Sequence, residues 1–373
     1  MRICHIIEST NAGSSRVVVE LARSGVAAGE DVTVIYSRNR AEQVFIDDLV
    51  AIDGLHLVET PMQREVGLHD IVAGWRLLRA LIAHGPFDVI HAHSSKAGGL
   101  ARLAGLFMPG AAKVYAPHAF VTLSPDARPI YGLIERLLSH VTDAIVVLSE
   151  QERRHATEVL HIAPDLLHLI PNGVSAAPQG NRAAIRAKLR AEDDSFVIGF
   201  VGRLVEQKNP VRAVKAFALV APTHPQALLA VIGGGPLEPD VLAAARAAGV
   251  AERVRMVGYA PARDYMPAFD CLLCSSDYES SPLIFPEALM AGVPLVSTNV
   301  GTVPELQRPE GPVFAVADLT PEALADGLDQ LLRLSPEQRL ALREAARRFA
   351  APYSAETMYG RTFELYRRLR PHA

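Results

Sequence analysis

Asp277-Tyr278-Glu279-Ser280-Ser281-Pro282-Leu283-Ile284-Phe285-Pro286-Glu287-Ala288-Leu289-Met290-Ala291-Gly292 is the stretch on which the fold of this chain turns. The apolar run Cys271-Leu272-Leu273-Cys274 leads into it and reads as a buried strand. Pro286 is tolerated in a helix's first turn, and Gly292 stops a helix just past its end. The order is therefore strand, loop, helix. Glu279 falls at the carboxyl end of the strand and Glu287 in the first turn of the helix. In α/β proteins that strand end is where ligands bind. The helix start offers unpaired N–H groups and a partial positive charge, which suit a phosphate. A carboxylate beside such a site can accept hydrogen bonds from sugar or ribose hydroxyls. Spacing alone fits equally well a Glu287 that complements the helix dipole and a Glu279 that is a solvated loop charge.

A length of 373 residues suits two domains better than one core. With 49% hydrophobic and 21% charged residues, the composition is that of an ordinary globular protein. A net charge of −4 argues against a dedicated nucleic-acid binder. Met1 to Ile7 is too short for a signal peptide and Glu8 interrupts it, and no uncharged apolar run is long enough to span a bilayer. A cytoplasmic location is expected. Three cysteines, two of them a lone Cys271-x-x-Cys274, read as buried free thiols rather than as a zinc site.

Outward from the opening stretch, strands and helices alternate. Residues 2–7 read as a strand. The polar loop Glu8 to Ser15 follows, then a helix over 16–28 stopped by Gly29. The loop has neither Gly-x-Gly-x-x-Gly nor the Walker lysine motif, so a standard dinucleotide or P-loop site is not expected. Further strands are expected at 32–36, 55–60, 88–93, 113–116 and 144–148. Helices are expected at 68–84, 97–107, 130–140 and 150–159. Trp75, the only tryptophan, is expected in the core. Residues 172–181 are rich in Pro, Gly and Asn and read as a linker. The pattern then restarts, with strands at 196–201, 227–232, 254–257, 271–274 and 294–298. Such alternation implies parallel sheets covered on both faces. The expected domains are residues 1–175 on the acceptor side, residues 176–350 for the nucleotide sugar, and a closing helix in 351–373 that crosses back to the first domain. Both domains are α/β, Rossmann-like and doubly wound, facing each other across a cleft, the default place for a ligand.

Four strands of the second half end in polar or glycine-rich residues: Arg203 with Lys208, Gly233-Gly234-Gly235, Gly258-Tyr259, and Glu279. In a parallel sheet these ends share one edge. Two cations near a helix start suit a diphosphate. Gly202-Arg203-Leu204 with Lys208-Asn209, Gly233 to Pro236, the Glu279-x7-Glu287 pair and Glu287 to Pro294 resemble glycosyltransferase family 4, the retaining sugar-nucleotide transferases of the GT-B fold. Ile170-Pro171-Asn172-Gly173-Val174, Pro117-His118 and Asp88 to His93 extend the resemblance over nearly the whole chain.

The resemblance implies roles position by position. Arg203 and Lys208 hold the donor diphosphate and help the nucleotide leave. Glu287 accepts hydrogen bonds from the ribose, and Glu279 sits against the transferred sugar. The N–H groups of Leu283 and Ile284 reach the diphosphate or sugar, while Gly258 and Tyr259 border the base. Gly13 approaches the diphosphate, and His118 faces the sugar. His91 and His93, at alternate strand positions without a carboxylate nearby, are expected to be structural. Ser280, Ala12 and Thr302 stand where the family commonly has glycine. No Asp-x-Asp is present, and the cationic pair can neutralise the leaving nucleotide, so no metal and no separate cofactor is expected. The expected donor is a UDP-sugar ahead of GDP-mannose. The expected acceptor is a glycan or lipid-linked sugar. Arg76, Arg79, Arg102, Arg128 and Arg136 are positions for a peripheral contact with anionic lipid, although solvated arginines explain them as well. Two other readings share these features: a sugar-nucleotide 2-epimerase, and a non-catalytic partner that binds donors or glycans.

Overall fold

The computed structural model describes every residue except 9–12, 64–66, 125, 176–179, 310 and 371–373. Its contacts divide the chain into two units, Met1–Ser175 with Tyr353–Ala373, and Ala176–Pro352.

The first unit is built on seven parallel strands: β1 (Arg2–Ile7), β2 (Asp31–Tyr36), β3 (His56–Glu59), β4 (Val89–His93), β5 (Ala112–Ala116), β6 (Ala144–Val147) and β7 (Leu167–Leu169). They lie in the order β3-β2-β1-β4-β5-β6-β7. The chain runs one way from β1 and returns to run the other way from β4, so the winding reverses between these two neighbours. Right-handed crossovers put successive helices on opposite faces as the direction reverses. Strand alternation follows this division. Cys4, Ile6, Ile35, Ile90 and Ala92 pack with Ala73, Leu77 and Leu81 of helix His69–His84 and with Ala97, Leu100 and Ala101 of helix Ser95–Ala104. Ile7, Val32 and Val34 pack on the other face with Val18, Val19 and Ala22 of helix Gly13–Ala27.

The closing helix, Ala355–Leu369, belongs to this unit and lies against helix Gly13–Ala27. Its entry is tied to the first unit by backbone hydrogen bonds, Val174 N–H to Tyr353 O and Ala355 N–H to Val174 O, both 3.0 Å. Met358, Thr362, Leu365 and Tyr366 are its buried face.

The second unit repeats the plan with six parallel strands: β8 (Phe196–Val201), β9 (Ala227–Ile232), β10 (Val254–Gly258), β11 (Cys271–Cys274), β12 (Leu295–Thr298) and β13 (Val313–Val316). Their order is β10-β9-β8-β11-β12-β13, so the winding reverses between β8 and β11. The loops leaving those two strands diverge and leave a crevice at their carboxyl ends.

Two expectations are corrected here. Trp75 is 58% exposed rather than buried. Ala73, Leu77 and Leu81 recur at every fourth position and face the sheet. Trp75 lies two positions, about 200° of helical turn, from Ala73 and Leu77, and so faces outward. Arg102 is not available to lipid, being 1% exposed. It is held by Glu135 at 2.8 Å and stacked on the Tyr115 ring at 3.9 Å. Cys4 and Cys271 are buried free thiols, whereas Cys274 is half-buried.

Candidate active site

In the second unit the loop after β8 runs from Gly202 through a short 3-10 turn, Glu206–Lys208, into helix Pro210–Val220. Asn209 makes the junction in a left-handed conformation, and its side chain accepts from the Arg212 N–H at 3.2 Å. The loop after β11 is stitched to this junction. Ser275 Oγ lies 3.0 Å from Lys208 O and 2.8 Å from Asn209 O. The Asp277 N–H donates to Gln207 O at 2.8 Å, and Gln207 Nε2 donates to Tyr278 O at 3.1 Å. Arg212 clamps both ends, donating to Ser275 O at 2.8 Å and pairing with Asp277 at 2.6 Å.

This stitching brings Lys208 Nζ onto Glu279 Oε1, which also accepts from Ser276 Oγ at 2.7 Å. Burial lowers the Lys208 pKa, but attraction to Glu279, with smaller help from Cys274, outweighs it and leaves the value raised. The nearby Arg203 charge opposes that rise. Lys208 is therefore a firmly charged cation at neutral pH. The pair lines a pocket together with Cys274, Ser276, Pro282 and Ile284. Arg203 itself is exposed.

Leu283 is the amino-terminal cap of helix Ile284–Met290, and the Glu287 N–H closes its first turn onto Leu283 O at 3.1 Å. Glu287 is only 6% exposed. Gly301 lets the loop after β12 close against this segment: a side-chain carbon there would lie 2.4 Å from Ser280 O and 3.2 Å from Glu279 Cβ, and its φ is +56°. Gly258 ends β10 with φ +78° and accepts from the Gly233 N–H at 2.8 Å. Tyr259, next along, is 87% exposed. The structure thus unites Lys208 and Glu279 in direct contact. Arg203, Leu283, Ile284, Glu287, Gly258 and Tyr259 stand on the same carboxyl edge of the sheet.

Gly13 and His118 lie in the first unit. Gly13 is exposed and opens helix Gly13–Ala27, and its neighbour Ala12 falls outside the described residues. His118 follows β5 with φ +52°, and Ala119 has φ +94°. Two consecutive non-glycine residues in left-handed conformation are costly and need support. Glu152 supplies part of it, accepting from the Ala119 N–H at 3.1 Å and from the Leu148 N–H at 2.7 Å.

The register of β1 on β4 places His5 opposite His91 and Ile7 opposite His93, all on one face. His5 Nδ1 and His93 Nε2 are 3.1 Å apart, and His93 Nδ1 and His118 Nε2 are 2.9 Å apart. His91 Nδ1 lies 2.6 Å from the Tyr366 hydroxyl of the closing helix. Burial holds His5 and His118 at a pKa of about 4. His91 and His93 are also lowered well below the ordinary histidine value, by burial first and then by their neighbours' charges. These rings are neutral at pH 7. Two tautomer assignments satisfy the chain, with the donors running from His5 through His93 to His118 or in reverse, and in either the His118 Nδ1 is left without a protein partner among the described residues. His5, His91 and His93 offer ring nitrogens within 4.8 Å of one another, so this cluster is where a metal could be held. The facing nitrogens of His5 and His93 are joined by a hydrogen bond, whereas His91 Nε2 has no hydrogen-bond partner among the described residues.

His91 and His93 are buried, and His93 also contacts His118. His5 and Tyr366 were not singled out from the sequence. Odd-numbered polar residues on two adjacent strands were the available signal for His5. Nothing local marks Tyr366.

The description "Glycosyl transferases group 1" matches residues 181–349 and "Glycosyl transferase 4-like domain" matches residues 12–173. A D-inositol 3-phosphate glycosyltransferase of Mycobacterium leprae is 29% identical over 96% of this chain and 89% of that protein. A UDP-Gal:alpha-D-GlcNAc-diphosphoundecaprenol alpha-1,3-galactosyltransferase of Escherichia coli is 26% identical over 60% of each chain. The Anabaena protein HepE, crystallised with UDP and glucose, superposes with a TM-score of 0.82 over 98% of this chain and 99% of its own, at 18% identity. The two family descriptions account for nearly the whole chain between them, and the paired sheets match the fold. The chain belongs to the family 4-type glycosyltransferases and has the GT-B fold.

Proposed function

We propose that this glycosyltransferase moves a hexose-type sugar, with retention of configuration and without a metal, from a nucleotide diphosphate to a hydroxyl of a glycan or lipid-linked sugar. Work at the inner face of the cytoplasmic membrane, in surface polysaccharide or lipopolysaccharide assembly, is part of this reading. The observation that carries it is the Lys208–Glu279 pair at the edge where β8 and β11 diverge. Lys208, with Arg203, holds the diphosphate and stabilises the leaving charge without a divalent ion. Glu279 sits against the sugar and Glu287 against the ribose. Leu283 and Ile284 present N–H groups to the diphosphate, and Gly258 with Tyr259 borders the base. Gly13 admits the diphosphate closely. His118, whose Nδ1 has no partner among the described residues, faces the sugar.

A UDP-sugar is favoured over GDP-mannose. The Ser281-Pro282-Leu283 loop supports this, as do the relatives, one named for UDP-Gal and another crystallised with UDP. The relative that acts on a diphosphoundecaprenol-linked sugar supports a lipid-linked acceptor.

Thermal unfolding with UDP, GDP and ADP tests the donor. A ligand at 100 times its Kd stabilises by about 2.7 kcal/mol. UDP is expected to shift the midpoint most, and no shift with any nucleotide would refute the reading. Incubation with labelled UDP-sugars and lipid-linked acceptors, with and without EDTA, then reads product, anomeric configuration and metal dependence together. Release of an epimerised sugar without acceptor would identify the 2-epimerase instead.

A further inference from the structure

His5, His91 and His93 are an unusual set for their place in the fold. The faces of a parallel sheet are ordinarily apolar where helices cover them. Here β1 and β4, the neighbours between which the winding reverses, turn three imidazoles to one face. His5 and His91 are 2% exposed and His93 is fully buried. Each ring offers one nitrogen, and the three nitrogens lie within 4.8 Å of one another. His5 Nδ1 and His93 Nε2 are already 3.1 Å apart. Two nitrogens on one tetrahedral zinc, each roughly 2.0–2.1 Å from it, stand about 3.3–3.4 Å apart, so this edge of the triangle needs little adjustment.

Two of the rings are also held at their other nitrogen, which is what orients a metal ligand. His91 Nδ1 lies 2.6 Å from the Tyr366 hydroxyl, and His93 Nδ1 lies 2.9 Å from His118 Nε2. His91 Nε2 is buried and has no hydrogen-bond partner among the described residues. A buried polar atom left unmet is costly, and an ion would meet it. The hydrogen bond between His5 and His93 does not remove that need, because it leaves His91 Nε2 out. Beside the cluster lies a cavity of about 10 Å³, lined by His91, His93, His118 and Asn172 among apolar side chains. That is about the room one water needs, and a water is the usual fourth ligand where the protein supplies three.

We propose that His5 Nδ1, His91 Nε2 and His93 Nε2 bind one divalent transition-metal ion, zinc above all, which staples β1 to β4. Imidazole suits zinc, copper and nickel, whereas magnesium and calcium seek the oxygen ligands that this set lacks. The ion is structural and takes no part in the diphosphate chemistry assigned to Lys208, so the inference does not rest on the donor or the reaction. It also decides the direction of the proton chain. With the ion on His93 Nε2, that ring's proton sits on Nδ1 and is donated to His118 Nε2, which places the His118 proton on Nδ1. The proton between His5 and His93 moves to His5 Nε2.

The full chain, purified without a histidine tag, is stripped with chelator and titrated with zinc, cobalt or magnesium. Elemental analysis after gel filtration should find one zinc per chain. Zinc should raise the unfolding midpoint of the stripped protein, and magnesium should not. Cobalt in its place should give the strong visible bands of a tetrahedral site and be displaced by zinc, a reading that needs no substitution. Asparagine can keep the contact with Tyr366 while lacking Nε2, so His91→Asn should fold and lose zinc affinity by more than roughly 100-fold. Tyr366→Phe removes only the outer partner and should lose about 10–100-fold. A stripped protein that takes up neither zinc nor cobalt would overturn the proposal. So would cobalt bound with only the weak bands of an octahedral site. Equal zinc binding by the parent and His91→Asn would overturn it too, because the chain has 13 histidines and others would then hold the ion.

Discussion

A side-chain carbon on Gly233 would lie 1.9 Å from the carbonyl oxygen of Gly202. The loops leaving β8 and β9 are thus pressed backbone to backbone, and the Leu204 N–H donates across them to Gly234 O at 2.9 Å. The loop that carries Lys208 is positioned by this contact. Gly233→Ala meets both the clash and a φ of +131°, a conformation that costs an L residue about 1–3 kcal/mol before any loop shift. A side-chain carbon on Gly234 meets nothing within 4 Å. Gly234→Ala should therefore stay within about 0.5 kcal/mol of the parent. Denaturant unfolding measures both, and equal losses would show that the close approach does not matter.

Lys208 and Glu279 should separate in kinetics. In Lys208→Ala the diphosphate loses a charge-assisted contact of about 1.5–3 kcal/mol, so donor affinity should drop by roughly 10–150-fold. Glu279→Gln removes the anion that holds Lys208 and repels an incoming diphosphate. UDP binding should be retained or tightened, while turnover falls by about 100-fold. Calorimetric titration with UDP, set beside kcat, distinguishes the two. Matching losses of affinity in both variants would contradict separate roles.

The β/α alternation and the strand ends were legible because apolar runs and glycine or proline punctuation are local signals. Lys208 and Glu279 could be placed on one edge because strand order in a doubly wound sheet follows from connection rules. Their contact could not be read, since Ser275, Gln207 and Arg212 create it by hydrogen bonds across loops 63 to 71 residues apart. Trp75 shows a different limit. Its helix was evident, but which face met the sheet depended on Ala73, Leu77 and Leu81 outcompeting the exposed side. Arg102 looked like a surface cation because nothing near it in sequence announces Glu135, 33 residues on.

The histidine cluster makes stability depend on pH. His5 and His118 titrate at about 4 in the folded chain, and burial lowers His91 and His93 as well, whereas an unfolded histidine titrates near 6.5. Between those values the unfolded chain binds more protons, so stability is full above about pH 6.5 and falls as the pH drops towards 4. Each histidine adds up to about 1.4 kcal/mol per pH unit to the slope. His5→Asn should flatten the dependence of Tm on pH in this window relative to the parent. Because the carboxylates are unchanged, an unaltered slope would mean that His5 is not held neutral by folding.

The buried Arg102–Glu135 pair allows a sharper test than its distance alone. Glu135 accepts from Arg102 Nη2 at 2.8 Å and from the Tyr115 hydroxyl at 3.0 Å, while Arg102 Nε donates to Gly98 O at 2.9 Å. Removing one charge strands the other out of water. Arg102→Met should therefore destabilise by about 3–5 kcal/mol. Removing both charges at once should not add a second loss of that size. Arg102→Met with Glu135→Leu leaves the Tyr115 hydroxyl without its Glu135 acceptor, at about 1–3 kcal/mol, and removes the Arg102 donor from Gly98 O, but strands no charge. The double variant is thus expected to be more stable than Arg102→Met alone, as read by denaturant unfolding. Strictly additive losses would mean that the two side chains are stabilised by their separate surroundings rather than by each other.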